Sequence, residues 1–304
     1  PLGEAAWFDA FAKYKTIPQY AEVNKGMSLD AFKAIFWWEW GHRFLGRVIG
    51  VAFALPLAWF WVRGRLRPDM KLPLVGLLML GGMQGFVGWF MVQSGLAERI
   101  DVSQYRLALH LGMAFLVLAG LLWMAMKLGN PEPGGISLRT ITPGEARFAG
   151  ALTALVFLQV VAGAFVAGLK AGLTYNTWPL MDGRLIPNGL TLKSPWWINV
   201  FENVTTVQFN HRMLAYVIVL AVLAHAIGVI RRADDGRLRA SAWLLATAML
   251  AQVALGIWTL LAVVPLNLAL LHQFGAAMLF VVAVRHTFFM RQAVTAPTPR
   301  PASA

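Results

Sequence analysis

The sequence predicts an all-α polytopic membrane protein, organised as two tandem, pseudo-symmetric four-helix bundles. Three observations predict it: an apolar composition, seven apolar runs of membrane-spanning length, and an internal repeat that carries matched histidines. At 304 residues, 58% hydrophobic and 13% charged, the chain is too apolar for a soluble globule of its size. Many of the residues behind its net charge of +12 sit in short linkers between apolar runs, where basic side chains set orientation in lipid. That placement argues for a membrane and no nucleic-acid partner. The chain has no cysteine. Disulfides, thiolate ligands, iron–sulfur clusters, a cysteine nucleophile and thioether-attached haem are therefore excluded, so a metal here must be held by His, Met, carboxylate or backbone.

Residues 1–35 carry four acids (Glu4, Asp9, Glu22, Asp30) and four lysines (Lys13, Lys15, Lys25, Lys33), and do not read as a cleavable signal. Trp7, Phe8, Phe11 and Tyr14 recur at helical spacing, which predicts a short helix, lying either at the membrane interface or against the outer face of the bundle. Seven runs follow, at about 36–62, 71–93, 105–127, 146–169, 205–230, 240–262 and 267–290. Each is long enough to cross roughly 30 Å of hydrocarbon. Arg63, Arg65, Arg67 and Lys71, then Lys127, Arg139 and Arg147, then Arg231, Arg232, Arg237 and Arg239 mark the cytoplasmic or matrix side. The linkers Glu98-Arg99-Ile100-Asp101 and Val263-Val264-Pro265-Leu266-Asn267 are mixed or uncharged and belong outside. So does the stretch 170–204, rich in Pro, Gly, Asn and Trp, whose length favours a functional loop. Residues 291–304, with Pro297, Pro299 and Pro301, read as a disordered tail.

The repeat organises these elements. Glu39-Trp40-Gly41-His42-Arg43 aligns with Gln208-Phe209-Asn210-His211-Arg212 at an offset of 169 residues. Gln84-Gly85-Phe86-Val87-Gly88 aligns with Gln252-Val253-Ala254-Leu255-Gly256 at 168, and Leu109-His110-Leu111-Gly112 with Leu271-His272-Gln273-Phe274-Gly275 at 162. Three anchors in one order indicate a duplicated membrane unit in parallel orientation. The expected organisation is an N-terminal half over 1–127, an inner linker over 128–145 and a C-terminal four-helix half over 146–290. Run 146–169 has no counterpart before the first copy, so an eighth crossing is expected upstream of Pro1.

Each half places one histidine near the outer end of its second crossing and one near the outer end of its fourth: His42 with His110, and His211 with His272. Two neutral imidazoles facing each other across a helical bundle are the usual way to hold a non-covalent haem iron. A single intramembrane histidine can equally be a buried hydrogen-bonder, but matched pairs at one depth favour haem. Arg43 and Arg212 follow these histidines on the outer side, where haem propionates would be partners, or where the side chains would snorkel to headgroups. Glu39 precedes His42 by three residues on the same helical face, while its repeat-mate is Gln208. A carboxylate can take a proton and an amide cannot, so the first half reads as reactive and the second as the holder of a fixed cofactor. Helix capping by Glu39 is the other reading. His225 and His286 each lie 14 residues beyond His211 and His272, roughly 21 Å deeper on nearly the same faces. A second stacked haem could use them, although their first-half counterparts are Pro56 and Met124. Gln84, Gln159 and Gln252 lie inside apolar runs and are expected to make interhelical hydrogen bonds, with nearby glycines permitting close approach.

Trp37-Trp38-Glu39-Trp40-Gly41-His42-Arg43, Tyr105-Arg106-Leu107-Ala108-Leu109-His110, Asn176-Thr177-Trp178-Pro179-Leu180-Met181-Asp182-Gly183, Asn210-His211-Arg212 and Leu271-His272-Gln273-Phe274-Gly275 together resemble the haem A synthase family. The resemblance runs from about Trp7 to Phe289 and points to the cysteine-free branch found in proteobacteria and mitochondria. It implies an eight-helix enzyme of the bacterial inner membrane that oxidises the C8 methyl of haem O to a formyl group, yielding haem A for cytochrome oxidase. It further implies that His211 and His272 ligate a resident haem b, that His42 and His110 form the haem O site, and that Glu39 is the catalytic carboxylate. Expected partners are haem O synthase, the cytochrome oxidase assembly machinery and an external electron carrier, and a homo-oligomer is compatible with this reading. A di-haem b-type electron-transfer cytochrome linked to quinol, and a haem transporter or chaperone, are the alternatives.

Overall fold

The computed structural model describes residues 1–95, 100–129 and 141–295, and its architecture is helical. Glu98, Arg99 and Arg139 of the expected linkers, and Pro297, Pro299 and Pro301 of the expected tail, lie outside the described residues. Two short helices, α1 (Glu4–Tyr14) and α2 (Pro18–Glu22), precede seven helices that are long and apolar enough to cross a membrane. These seven are α3 (Leu29–Val62), α4 (Pro68–Gly95), α5 (Gln104–Gly129), α6 (Pro143–Gly168), α8 (Val204–Arg232), α9 (Gly236–Leu261) and α10 (Leu266–Thr295), with the one-turn α7 (Asn199–Glu202) before α8. All seven predicted crossings are present. The chain divides into two compact units, Pro1–Val117 and Leu118–Ala304, the division falling inside α5.

In the N-terminal unit, α1 packs on the start of α3. Trp7 lies edge-on to Phe36 at 5.0 Å and Phe11 stacks on Phe32 at 5.0 Å, so the aromatic stripe read from the sequence is a packing surface. Such aromatic pairs contribute about 0.5–1.5 kcal/mol beyond their burial. Ser28 caps α3, its hydroxyl accepting from the Ala31 N–H at 3.2 Å. The helix thus begins ten residues before Glu39, which overturns the capping reading of that carboxylate. At the other end Arg63 stacks over Trp59 and Lys71 over Trp61, at 4.5 and 5.2 Å, a cation–aromatic arrangement suited to a membrane interface.

The C-terminal unit contains a closed four-helix ring in which α6 packs on α8, α8 on α9, α9 on α10 and α10 back on α6. Small buried residues, among them Ala149 and Ala164 on α6, Ala226 on α8, Ala242 on α9 and Ala283 on α10, let the backbones approach closely, as helix packing in lipid requires. Thr142 and Glu145 form a reciprocal capping box at the start of α6. Glu145 also pairs with Arg232 at the end of α8, at 2.6 Å, tying the inner ends of the two helices together. Helix α10 continues through Thr295, past the expected end at residue 290, because Met290 and Ala293 are buried in a cluster with Ile141, Ala146 and Leu238.

The long outer segment between α6 and α8 is held by its asparagines. Asn199 donates to the carbonyls of Lys193 and Trp196, and Asn203 donates to Gly189 while capping α8. Asn176 donates to the carbonyls of Gly172 and Leu260, which joins the segment to the end of α9. The asparagines therefore satisfy backbone groups that a segment with so little regular secondary structure would otherwise leave unpaired. The turn from α9 to α10 holds Val263 and Val264 at φ 61° and 55°. Positive φ at β-branched residues costs on the order of 1–3 kcal/mol each. The Val264 N–H, bonded to the Thr259 carbonyl at 2.9 Å, fixes the turn that launches α10 and with it His272.

Candidate functional site

In the N-terminal unit, Glu39, His42 and Arg43 stand on one stretch of α3 and line a cavity of about 340 Å³ with Gln19, Val92 and Asp101. Arg43 Nη2 meets Glu39 Oε2 at 3.2 Å, and both side chains are 54% exposed. The pair closes one turn along the helix. His110 on α5 lies within electrostatic reach of His42. Its ring rests against α4, with Gln84 Nε2 3.5 Å from its Nε2. A Cβ added to Gly88 would stand 2.8 Å from His110 Cε1, so only glycine admits the imidazole there.

The C-terminal unit repeats this packing. His211 on α8 and His272 on α10 lie within electrostatic reach of each other. The Gln252 amide donates to the His272 carbonyl at 2.9 Å and sits 3.1 Å from its Nδ1, while a Cβ on Gly256 would stand 2.8 Å from His272 Cε1. That glycine separation matches the one between Gly88 and His110. Gln159 makes the same approach to His211, at 2.9 Å to the carbonyl and 3.1 Å to Nδ1, and a Cβ on Gly163 would reach Cε1 at 3.3 Å.

The two copies part at the outer segment. Arg212 is buried, and its guanidinium donates to the carbonyls of Thr177 and Tyr175 at 2.8 and 2.7 Å. Gln208 Nε2 donates to the same Tyr175 carbonyl at 3.1 Å. Gln208 and Arg212 are thus loop anchors, where Glu39 and Arg43 pair with each other beside an open cavity.

The donor set fits haem. Among the described residues no group of three or more His, Cys, Asp or Glu side chains could by itself hold a metal ion. Paired imidazoles supply the two axial ligands that an iron already held by a macrocycle requires. Glycines clear space for the rings of His110, His211 and His272, as close seating of imidazoles between helices demands.

A model of the cytochrome oxidase assembly protein family COX15-CtaA matches residues 1–284. Similar curated proteins are the Heme A synthase of Agrobacterium fabrum, 53% identical over 94% of this chain and 77% of its own length, and that of Parvibaculum lavamentivorans, 52% identical over 94% and 80%. The Heme A synthase of Allorhizobium ampelinum is 48% identical over 98% of this chain and 81% of its own. This chain belongs to the haem A synthase family.

Two features of this family member were only partly legible in its sequence. The deeper histidines form a direct contact, His225 Nε2 to His286 Nε2 at 3.0 Å, and Ser241 Oγ lies 2.8 Å from His286 Nδ1. An iron between two imidazoles would hold their nitrogens about 4 Å apart, two metal–nitrogen bonds of roughly 2 Å each. In this arrangement the pair is a buried hydrogen-bonded link among α8, α9 and α10. The glutamines, expected to bridge helices, are placed at the histidines themselves. Their sequence signal is a glycine four residues on: Gln84 with Gly88, Gln159 with Gly163 and Gln252 with Gly256.

Proposed function

We propose that this chain is a haem A synthase that oxidises the C8 methyl of haem O to a formyl group. His42 and His110 hold the haem O substrate, and His211 and His272 hold a haem b. The observation that carries this reading is the divergence of two copies around a shared histidine packing. Three of the four histidines are seated against a glutamine and a glycine of a neighbouring helix. Only the first copy sets a carboxylate one turn from its histidine at an open cavity, while the second replaces it with an amide anchored to the loop.

Taking a methyl to a formyl raises that carbon's oxidation state by four: two successive hydroxylations, each adding a water-derived hydroxyl and passing two electrons and two protons on, the electrons to an external electron acceptor, and a final loss of water from the gem-diol. Glu39 receives or returns the proton as the oxygenated carbon sheds water, a role that general acid–base catalysis assigns to a positioned carboxylate. Arg43, at 3.2 Å, pairs with Glu39 where both line the cavity. When bound, the haem b on His211 and His272 supplies one-electron redox chemistry. Arg212 and Gln208 keep the segment at Tyr175 and Thr177 fixed over the outer end of that unit. The proposed setting is the bacterial plasma membrane with both histidine pairs toward the periplasmic face, a reading supported by the basic linkers on the opposite side. The partners that follow are haem O synthase as the source of substrate, the cytochrome oxidase assembly machinery as the destination of product, and an external electron carrier.

The test is pigment extraction after expression with a source of haem O. Glu39→Gln is expected to keep its haem content and to lose haem A formation by at least about 100-fold, the lower range of acid–base contributions. Unchanged conversion by that variant would remove Glu39 from the mechanism, and absence of haem A from the unmodified protein would overturn the synthase reading.

A further inference from the structure

Three buried acceptors in this molecule lack donors in the same way. Gln84, Gln159 and Gln252 each present an amide nitrogen to a histidine, and the Oε1 of each is buried without a hydrogen-bond partner. Leaving one such acceptor unmade in an apolar interior costs about 1–3 kcal/mol. A threefold recurrence, on α4, α6 and α9, each time one turn before the glycine that seats the imidazole, is a built feature. His110 Nδ1 is likewise buried without a partner, on the ring that Gln84 faces. On Gln252, the orphan oxygen points at the α10 backbone, where a Cβ on Gly275 would collide with it.

A neutral imidazole that binds iron through one ring nitrogen carries its proton on the other. That N–H needs an acceptor, which fixes the tautomer, orients the ring and raises the basicity of the ligating nitrogen. The terminal torsion of glutamine is broad and two-fold, so a turn of the amide exchanges its donor for its acceptor without moving the helix, giving up the Nε2 bonds of Gln159 and Gln252 to the His211 and His272 carbonyls. The side chain already touching each ring therefore carries, within reach, the one group the ring lacks. A neutral amide accepts the proton without bringing a charge into the membrane interior, where a carboxylate is costly.

We infer that Gln84, Gln159 and Gln252 are positioning residues for the haem ligands, each accepting the imidazole N–H of His110, His211 and His272 through Oε1. This rests on the assignment of those histidines as ligands. The amide sets how strongly the imidazole donates to iron, and so tunes the reduction potential of the bound haem.

The experiment uses the full chain purified with its haem, and reads the midpoint potential of the haem b by spectroelectrochemistry, with its low-spin electron paramagnetic resonance signature. Gln252→Glu, a stronger acceptor, is expected to lower the potential, and Gln252→Leu, which removes the acceptor, to raise it. A packing role alone would move both variants in the same direction. If Gln252→Leu retains no haem, a lowered potential in Gln252→Glu still carries the inference. An unchanged or raised potential in Gln252→Glu, or loss of haem from both variants, overturns it. His272→Ala separates the two levels: haem b retained in full by that variant would sink the ligand assignment itself, whereas its loss, with no opposed shifts at Gln252, would sink only the role of the glutamine.

Discussion

Arg43 and Arg212 occupy one position of the repeat and do different work. Arg43 makes an exposed pair with Glu39 four residues away, a type of contact worth about 0.3–0.5 kcal/mol. Arg212 is 7% exposed and donates to two loop carbonyls, and hydrogen bonds from a charged donor contribute roughly 1.5–3 kcal/mol each. Arg212→Ala is therefore expected to lower stability by about 3 kcal/mol or more and to loosen the segment at Tyr175 and Thr177, while Arg43→Ala changes stability by about 0.5 kcal/mol or less. Denaturant unfolding in detergent, with proteolysis of the 170–204 segment as a second readout, checks the ordering. Equal losses would mean that Arg212 does not anchor the loop. The shared His-Arg dipeptide showed that both arginines take the same position of the repeat. Which of them is covered depended on what packs over it: the Tyr175 and Thr177 carbonyls receive Arg212, while Arg43 pairs with Glu39 on its own helix.

Helix-scale order in the C-terminal unit comes from links that periodicity does not reveal. His225 on α8, His286 on α10 and Ser241 on α9 form one buried hydrogen-bonded chain, with Phe148 of α6 packed 5.5 Å from the His225 ring. All four helices of the ring meet there, deep toward the inner side. His225→Ala removes a partner of His286 and leaves a cavity, which is expected to cost about 2–4 kcal/mol while the resident haem spectrum and stoichiometry stay unchanged. Thermal unfolding together with haem quantitation decides it. A stable protein that has lost a low-spin haem would restore the electron-relay reading. The spacing of 14 residues put these histidines on nearly the same helical faces as His211 and His272. Spacing along one helix does not report the separation across to the next, and that separation is what distinguishes a hydrogen bond from a shared metal.

At the scale of the molecule, seven helices long and apolar enough to span a membrane and the basic linkers between them predict an orientation that can be tested directly, because the chain contains no cysteine. Single cysteines introduced at Asn188, in the outer segment, and at Arg65, in the turn between α3 and α4, are expected to react with a membrane-impermeant thiol reagent from opposite sides. Intact cells should label Asn188→Cys, and Arg65→Cys should label only after permeabilisation. Labelling of both from one side would refute the seven-crossing topology over that interval. The Asn-mediated bonds that hold the outer segment also predict where on the 170–204 stretch such labels will be slow: near Asn199 and Asn203, which are buried, and not near Leu185 or Ile186, which are exposed.

Hydropathy, linker charge and the internal repeat were enough to determine the seven crossings, the two matched histidine pairs and the asymmetry between Glu39 and Gln208. Each of these is a property of one segment and its own helical period, and burial in lipid imposes that period strongly. The tertiary structure alone decided what each polar side chain meets on the next helix. It set glutamine and glycine against the imidazoles, gave Arg212 to the loop carbonyls and joined His225 directly to His286. Those contacts depend on the rotation and close approach of separate helices, quantities set by side-chain packing between segments far apart in sequence.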